Sequence, residues 1–558
     1  MMEEKNMTAS DLNANTPKKS YWVPSGIDYT KFQLPKEGIP EQDRQEAMDE
    51  LAEYVRNAQR FFMGYQATQQ MNFKHLADYL NISLNNIGDS FSDPNWNKPT
   101  PPDGYFRANC KWMERAVLDY YAKLWNAKTP RLVDEDGVPE DEWKETYWGY
   151  VVSMGSTEGN LLALRSARDY LNGTRLQFDK KSAEQFLSLA NDNNTCHQPT
   201  EVSLSYLDYQ ACIESETESN EFTPVLFYSS ATHYSIKKIS QIIHLKTFTQ
   251  IGEKRYPNQC PINGGKWPEV APANPDGSID LDALEKLVEF FVAKKYPIAI
   301  NFNYGTTWTA AYDDIGEACR RLIPILKKHG MYEREVKWDD GKPQKRNGFW
   351  FHTDGALGAG FVPFAKMFEK EQGTKVSSFP EFDFSLEIHS LAMSGHKWMG
   401  APWPCGIYMT KNKFLISNDV PAYVGSLDST LAGSRNAFSA LLMWDYLAKN
   451  SYRAQATRAG VIMGLADYAH KELTALYGRE RVSRAPGSLS ILFPRPVQRL
   501  VKKYALASVK EQSHILIMRH VTKGLIDNLI RDLKQQDNAA NEVSAPLEDM
   551  QEMLQQGW

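Results

Sequence analysis

The chain has 558 residues, a formal net charge of −6, 42% hydrophobic and 24% charged residues, which predicts two or more cores of ordinary globular composition and excludes a fibrous or disordered class. The acidic balance also excludes a nucleic-acid or membrane-surface specialist, because phosphate-rich partners demand a basic face. A small anionic substrate stays open, since a local pocket can oppose the global sign.

Residues from Met1 to about Pro35 are polar, with scattered Pro and Gly, and predict an extended arm. They hold no apolar h-region, so no secretory signal is read there. No apolar run in the chain reaches bilayer-spanning length. From about Glu41 to Leu80 the pattern is helical, with apolar Leu51, Val55 and Phe62. The loop GDSFSDPNWNKPTPPDG then leads to a helix around Cys110 to Trp125. This first segment, residues 1–110, is expected to pack on a partner subunit or on the main domain, since its helices hardly form a core alone.

The second segment, residues 111–420, predicts an α/β domain with a mainly parallel sheet. From about Trp148 to Met409, short β-branched and aromatic runs (YWGYVVSM, PVLFYSS, PIAINFNY, GFWFHTDG, SLAMSGHKW, GIYMT) alternate with helical runs. Two polar insertions interrupt it, NDNNTCHQPTEVSLSYLDYQACIESETESNEF and EREVKWDDGKPQKRNG, the second with the pattern of a charged hairpin. The third segment, residues 421–558, predicts a smaller α+β domain. It has helices near Ala437 to Tyr452 and Gly460 to Leu476, a strand in SLSILFPRP, a mixed strand and helix in EQSHILIMRHVTKGLIDNLIRDL, and a polar tail. No internal repeat is present. The six cysteines, Cys110, Cys196, Cys212, Cys260, Cys319 and Cys405, show no CxxC or zinc-finger spacing. No metal is expected, and reduced thiols of a cytoplasmic protein are.

Five motifs carry chemistry, each at a predicted strand end. Ser394-Gly395-His396-Lys397-Trp398 puts a lysine in a small-residue turn, where burial would lower its pKa and let it form an imine with an aldehyde cofactor. An exposed loop lysine has the same local sequence. Phe351-His352-Thr353-Asp354-Gly355-Ala356 ends an apolar strand on one carboxylate followed by small residues. A pyridoxal-phosphate (PLP) ring needs such a carboxylate at its pyridine nitrogen and a small neighbour at its face; a helix N-cap aspartate is the alternative. Ser153-Met154-Gly155-Ser156-Thr157-Glu158-Gly159-Asn160 opens a helix with a glycine-and-hydroxyl turn suited to phosphate, although it lacks the GxxxxGK[ST] pattern. His233, in Ser230-Ala231-Thr232-His233-Tyr234-Ser235, is placed to stack on a cofactor ring, or is structural. Thr306, in Asn303-Tyr304-Gly305-Thr306-Thr307, offers a hydroxyl. Ligands bind at the carboxyl ends of strands in open parallel sheets, so the five motifs together predict one pocket.

With these motifs in this order, and with Gly425-Ser426-Leu427-Asp428-Ser429-Thr430 and Gly433-Ser434-Arg435-Asn436 beyond them, the chain resembles the group II PLP-dependent amino-acid decarboxylases of fold-type I. Within them it is most similar to the branch of bacterial histidine decarboxylases and plant serine decarboxylases. The resemblance covers roughly Leu80 to Asp445. It implies a large domain with a seven-stranded-type, mainly parallel sheet, a small carboxy-terminal domain, and a homodimer with its active site at the interface. It also implies that Lys397 forms the internal aldimine, Asp354 pairs with the pyridinium, His233 stacks on the ring and Ala356 lies against its other face. Ser156, Thr157, Ser394 and His396 would hold the phosphate, with Thr306 near the ring or the substrate carboxylate. Tyr423 resembles the loop tyrosine that protonates Cα in related decarboxylases; a packing tyrosine at an interface is the other reading. Ser426, Asp428 and Arg435 are implied to shape the side-chain pocket, where Gly433-Ser434-Arg435-Asn436 runs into Ala437-Phe438 rather than the branch's glycine-histidine pair.

The expected reaction is decarboxylation of an L-amino acid to its amine. The alternatives are oxidative conversion to an aldehyde, amino-group transfer, or a non-catalytic binding protein on the same fold. The last would have no need of Lys397, Asp354 and His233 together.

Overall fold

The computed structural model describes residues 31, 39–66, 68, 71, 74–76, 84–87, 109–130, 140–176, 220–337, 343–373, 379–416 and 428–539. Most of the first polar insertion, the 420/421 boundary, Cys196 and Cys212 lie outside them.

Strands β1 (Asn85–Ile87), β2 (Tyr147–Val152), β3 (Val225–Phe227) and β4 (Ile298–Asn303) come first. They are followed by β5 (Arg334–Val336), β6 (Gln344–Arg346), β7 (Phe349–Asp354), β8 (Ser390–Ser394) and β9 (Gly406–Lys411). The rest are β10 (Ser434–Asn436), β11 (Ser490–Pro494), β12 (Ala507–Val509) and β13 (Gln512–Leu516). Every residue of β2, β4, β7 and β8 is buried, the signature of strands covered on both faces and the reason they read as continuous apolar runs. They belong to a six-stranded sheet of order β2-β9-β8-β7-β4-β3. Strands β3, β4, β7 and β8 pair in parallel, and β9 runs antiparallel to both β8 and β2. The sheet is therefore mainly parallel, as expected, with six strands among the described residues where seven were anticipated. Because β2 runs with β3, β4, β7 and β8, the five motifs leave the sheet at one edge.

The helix Ser156–Leu171 lies across β8. It comes close because Gly159 has no side chain, a Cβ there falling 2.9 Å from that of Ala392. The charged insertion folds as the antiparallel hairpin β5–β6. The carboxy-terminal part carries a three-stranded sheet of order β11-β13-β12 and the helix Lys523–Ala539, matching the mixed strand-and-helix expectation. It is joined to the large sheet's helices through Tyr452–Tyr477, where the absent side chain of Gly460 admits the Phe368 ring.

One helix differs from expectation. The amino-terminal helix spans Glu41–Gln59 and stops well short of Leu80. Beyond it the backbone turns to other partners: Met63 N–H donates to Tyr504 O at 3.1 Å and Met63 O accepts from Leu516 N–H at 2.7 Å. Backbone bonds to the carboxy-terminal part thus replace the next helical turn. The helix leaves Met48, Leu51 and Val55 exposed on this chain. Cys110, Cys260, Cys319 and Cys405 are buried free thiols. Among the described residues no helix is long and apolar enough to cross a membrane.

Candidate active site

A cavity of about 200 Å³ lies at the carboxyl edge of the sheet. Nine of the predicted residues line it: Ser156, Thr157, His233, Thr306, Asp354, Ala356, Ser394, His396 and Lys397. Tyr423 and Ser426 lie outside the described residues.

The turn before the Ser156 helix is held from both sides. Gly155 adopts φ +67°, and a Cβ on it would sit 2.6 Å from His396 Cε1, so only glycine lets the turn and the His396 loop meet. Ser394 Oγ accepts from Ser156 N–H at 3.0 Å and lies 2.8 Å from Ser156 Oγ. Glu158 reaches back to accept from Ser153 N–H at 2.7 Å and Met154 N–H at 3.0 Å, and Tyr150 donates its hydroxyl to the same carboxylate at 2.9 Å. These bonds hold the helix N-terminus in place at the cavity wall.

Lys397 opens into the cavity from the turn after β8. Burial pushes its pKa down, and the nearby Asp354 charge opposes that shift. Its Nζ donates to Gln66 Oε1 at 2.8 Å. Gln66 is itself buried and donates from Nε2 to the carbonyls of Thr306 at 3.1 Å and Thr307 at 3.3 Å. The lysine amine is thereby held by an amino-terminal residue that sequence reasoning missed.

Asp354 ends β7 with both oxygens engaged. Oδ2 accepts from Asn160 Nδ2 at 2.8 Å and Oδ1 from Ala356 N–H at 3.2 Å. His233 is half-buried; its Nδ1 accepts from Ser235 N–H at 3.3 Å and lies 2.7 Å from Ser235 Oγ, which leaves the ring proton on Nε2. Burial lowers its pKa, Lys397 lowers it further, and Asp354 pulls the other way. His396 is lowered by burial as well. Beneath the site, Asn303 Nδ2 reaches Asp313 Oδ2 at 3.2 Å, Thr232 Oγ1 at 3.1 Å and Ser229 Oγ at 3.2 Å. It joins β4 to the loop that carries His233.

Two expected substrate residues are elsewhere. Asp428 accepts from Thr430 N–H at 3.2 Å and Thr430 Oγ1 at 2.6 Å, as a turn-forming aspartate does. Arg435 is buried in β10, with Nη1 2.6 Å and Nη2 3.2 Å from the Glu114 carboxylate. Glu114 also accepts from Val151 N–H and Asn86 Nδ2, each at 2.7 Å. A fully buried carboxylate demands a paired cation, and Arg435 supplies it. Neither Asp428 nor Arg435 is among the described residues that line the cavity.

The residues present fit PLP. An amine of lowered pKa, a fixed carboxylate and a glycine cradle that a Cβ would fill all converge on one cavity. Comparison with known proteins agrees. Residues 213–440 match the family described as the pyridoxal-dependent decarboxylase conserved domain. The chain is 26% identical to a histidine decarboxylase of Vibrio campbellii over 86% of this chain and 92% of that protein. It is likewise 26% identical to serine decarboxylase 2 of Oryza sativa, over 87% of this chain and 77% of that protein. Among solved structures, the L-methionine decarboxylase of Streptomyces sp. 590 superposes with a TM-score of 0.76 at 37% identity, over 91% of this chain and 97% of that one. The Lactobacillus brevis glutamate decarboxylase, at 16% identity and a TM-score of 0.57, shares the fold. A lysine, a carboxylate and a glycine-and-hydroxyl turn at one sheet edge, together with a relative this similar over nearly its whole length, place the chain in the group II PLP-dependent amino-acid decarboxylase family, as a carboxy-lyase of fold-type I.

Proposed function

We propose that this enzyme releases carbon dioxide from an L-amino acid with an uncharged, unbranched side chain of methionine-like size, with Lys397 as the residue that carries PLP. The supporting observation is the Lys397 amine, lowered in pKa, in a cavity that also opens onto the fixed Asp354 carboxylate. Bound there, PLP supplies an aldehyde for exchange with the substrate amine and a ring that takes up the electron pair of the broken Cα–carboxylate bond. The protein's part is to place groups. The lowered pKa favours the neutral Lys397 amine, the form that attacks a carbonyl, while Gln66 Oε1 fixes its direction. Asp354 would hold a proton at the ring nitrogen. His233 and Ala356 would cover the ring faces, and Ser156, Thr157, Ser394 and His396 would receive the phosphate. Thr306 serves the ring or the substrate carboxylate. Tyr423, outside the described residues, is proposed from the resemblance to deliver the proton to Cα.

The substrate class rests on two points. The relative at 37% identity acts on methionine, whereas those named for histidine and serine stand at 26%. Among the described lining residues the one lysine or arginine is Lys397, and Arg435 is occupied by Glu114, which removes the support for an acidic side chain. The resemblance also supports a cytoplasmic homodimer, whose second subunit would cover Met48, Leu51 and Val55.

Absorbance spectra with PLP for the wild type and Lys397→Ala, followed by a carbon dioxide release screen over the amino acids, test this reading. A bound-cofactor band lost in the variant, with release from methionine above histidine, serine and glutamate, is the expected result. A band with aldehyde and hydrogen peroxide as products would move the reaction to the oxidative class. No band would refute the assignment of Lys397.

A further inference from the structure

One buried polar chain leads away from the active-site carboxylate and has no part in the reaction proposed above. Strand alternation places Trp350, His352 and Asp354 on the same face of β7. Parallel pairing sets Ser390 of β8 beside His352. Asn160, one helical turn beyond Ser156, descends onto that face from above. Trp350, Ser390 and His352 are fully buried, and Asn160 almost so.

The donor and acceptor roles along the chain follow from its two ends. Trp350 Nε1–H has only a proton to give, and donates to Ser390 Oγ at 3.0 Å. At the other end the Asp354 carboxylate accepts, with Asn160 turning its amide nitrogen to Asp354 Oδ2 at 2.8 Å. Asn160 Oδ1 must then accept from His352 Nε2–H, 2.9 Å away. That leaves His352 Nδ1 to accept the Ser390 hydroxyl proton across 2.9 Å, the shorter of its two contacts, the Ser390 carbonyl oxygen lying 3.2 Å away. Burial drives the His352 pKa down to about 4, so the neutral ring with its proton on Nε2 is the state at neutral pH. A buried polar network satisfied at every joint is rigid, and one with a single joint missing is costly.

We propose that His352 and Asn160 are positioning residues for the cofactor: the chain Trp350–Ser390–His352–Asn160 fixes the plane of the Asp354 carboxylate that meets the ring nitrogen. The inference rests on Asp354 taking that role. Neither His352 nor Ser390 lines the cavity, so His352 acts only through Asn160 and Asp354. Gln in place of His352 carries an amide N–H near the position of Nε2 and keeps the donor; Leu fills similar space and removes it.

The test is PLP titration into apoenzyme, followed by fluorescence quenching and by the absorbance band of bound cofactor. Asn160→Ala, which removes a hydrogen bond to a carboxylate, is expected to weaken binding by about 10- to 100-fold, and His352→Leu, which removes one between neutral groups, by about 3- to 10-fold; both shift the band. His352→Gln restores most of both. In an Asp354→Ala background, Asn160→Ala adds nothing further, because the joint it breaks is already gone. If Asp354→Ala moves affinity and band while His352→Leu and Asn160→Ala stay within about twofold of wild type, the positioning role is overturned and the role of Asp354 stands. If Asp354→Ala itself moves neither, the Asp354 assignment is what fails. A Gln variant no better than Leu also overturns the proposal. Should His352→Leu not fold by circular dichroism, Asn160→Ala severs the same chain and decides alone.

Discussion

Replacing Arg435 by Met separates a structural arginine from a substrate-binding one. In the folded chain Glu114 has no exposed surface and holds four hydrogen bonds, two from Arg435 and one each from Val151 N–H and Asn86 Nδ2. Methionine occupies much of the same volume but leaves the carboxylate with two neutral donors. Breaking a buried pair from one side costs about 3–5 kcal/mol, most of it the uncompensated charge. The β1–β10 pair, in which Asn86 faces Arg435, loses its anchor together with the bond to Val151 at the end of β2. Urea and thermal unfolding of the holoenzyme should therefore show a large loss of stability. Adding Glu114→Gln in the Arg435→Met background should recover part of it, because the buried charge is then gone. An Arg435→Met protein with wild-type unfolding and a raised KM would refute this assignment and return Arg435 to the substrate pocket.

Gly155→Ala forces a side chain into φ +67° and ψ −162° and within 2.6 Å of His396 Cε1; a strain of about 1–3 kcal/mol should appear as PLP binding weaker by roughly tenfold or more, measured by titration. Gln66→Leu removes the acceptor of the Lys397 Nζ proton and both bonds to the Thr306 and Thr307 carbonyls. A loss of up to about tenfold in kcat/KM is expected for one misdirected hydrogen bond, and unchanged kinetics would remove Gln66 from the site. His352 has a folded pKa of about 4 against an ordinary 6.5, so between those values the unfolded chain binds the extra proton. Stability from this group is complete above pH 6.5 and falls by about 3 kcal/mol toward pH 4. His352→Gln should flatten the pH dependence of unfolding in that window, and an unaltered slope would contradict the buried neutral ring.

The strand-end motifs were legible because each couples two local signals, an apolar run of strand length and a small-residue turn carrying one chemical group. Asp354, Lys397, His233 and the Ser156 turn needed nothing from elsewhere in the chain to be noticed. The Arg435–Glu114 pair was not legible, because Glu114 lies 321 residues earlier in the chain, on the helix Lys111–Leu124, and no local pattern links them. The amino-terminal helix was read too long for a related reason. Its apolar spacing continues through Phe62, but the backbone there pairs with Tyr504 and Leu516, which only the folded chain brings near. Gln66, in FFMGYQATQQ, has no distinguishing neighbourhood at all. His352 and Asn160 did carry a signal: one sits two residues before Asp354 on a strand, the other four after Ser156 on a helix, so both share a face with a chosen residue. That periodicity identifies the layer behind a site once its front residues are known.

The buried polar groups around the cavity are nearly all joined in pairs that tie one chain segment to another. Glu158 ties its helix to the turn before it, Ser394 ties β8 to the Ser156 helix, Asn160 ties that helix to β7, Asn303 ties β4 to the His233 loop, and Gln66 ties the amino-terminal segment to Lys397 and the Thr306 turn. Each such bond contributes little net stability, because water offered the same partners in the unfolded chain. What they supply is geometry, since a buried donor that drifts from its acceptor forfeits its desolvation energy with no return. The cost of orienting the amine, the carboxylate and the phosphate turn is thus met when the chain folds, before any cofactor or substrate arrives. Groups fixed in this way need not reorganise as charge moves during the reaction, which is why polar residues with no reacting atom of their own, such as His352 and Glu158, are where substitutions should alter the chemistry.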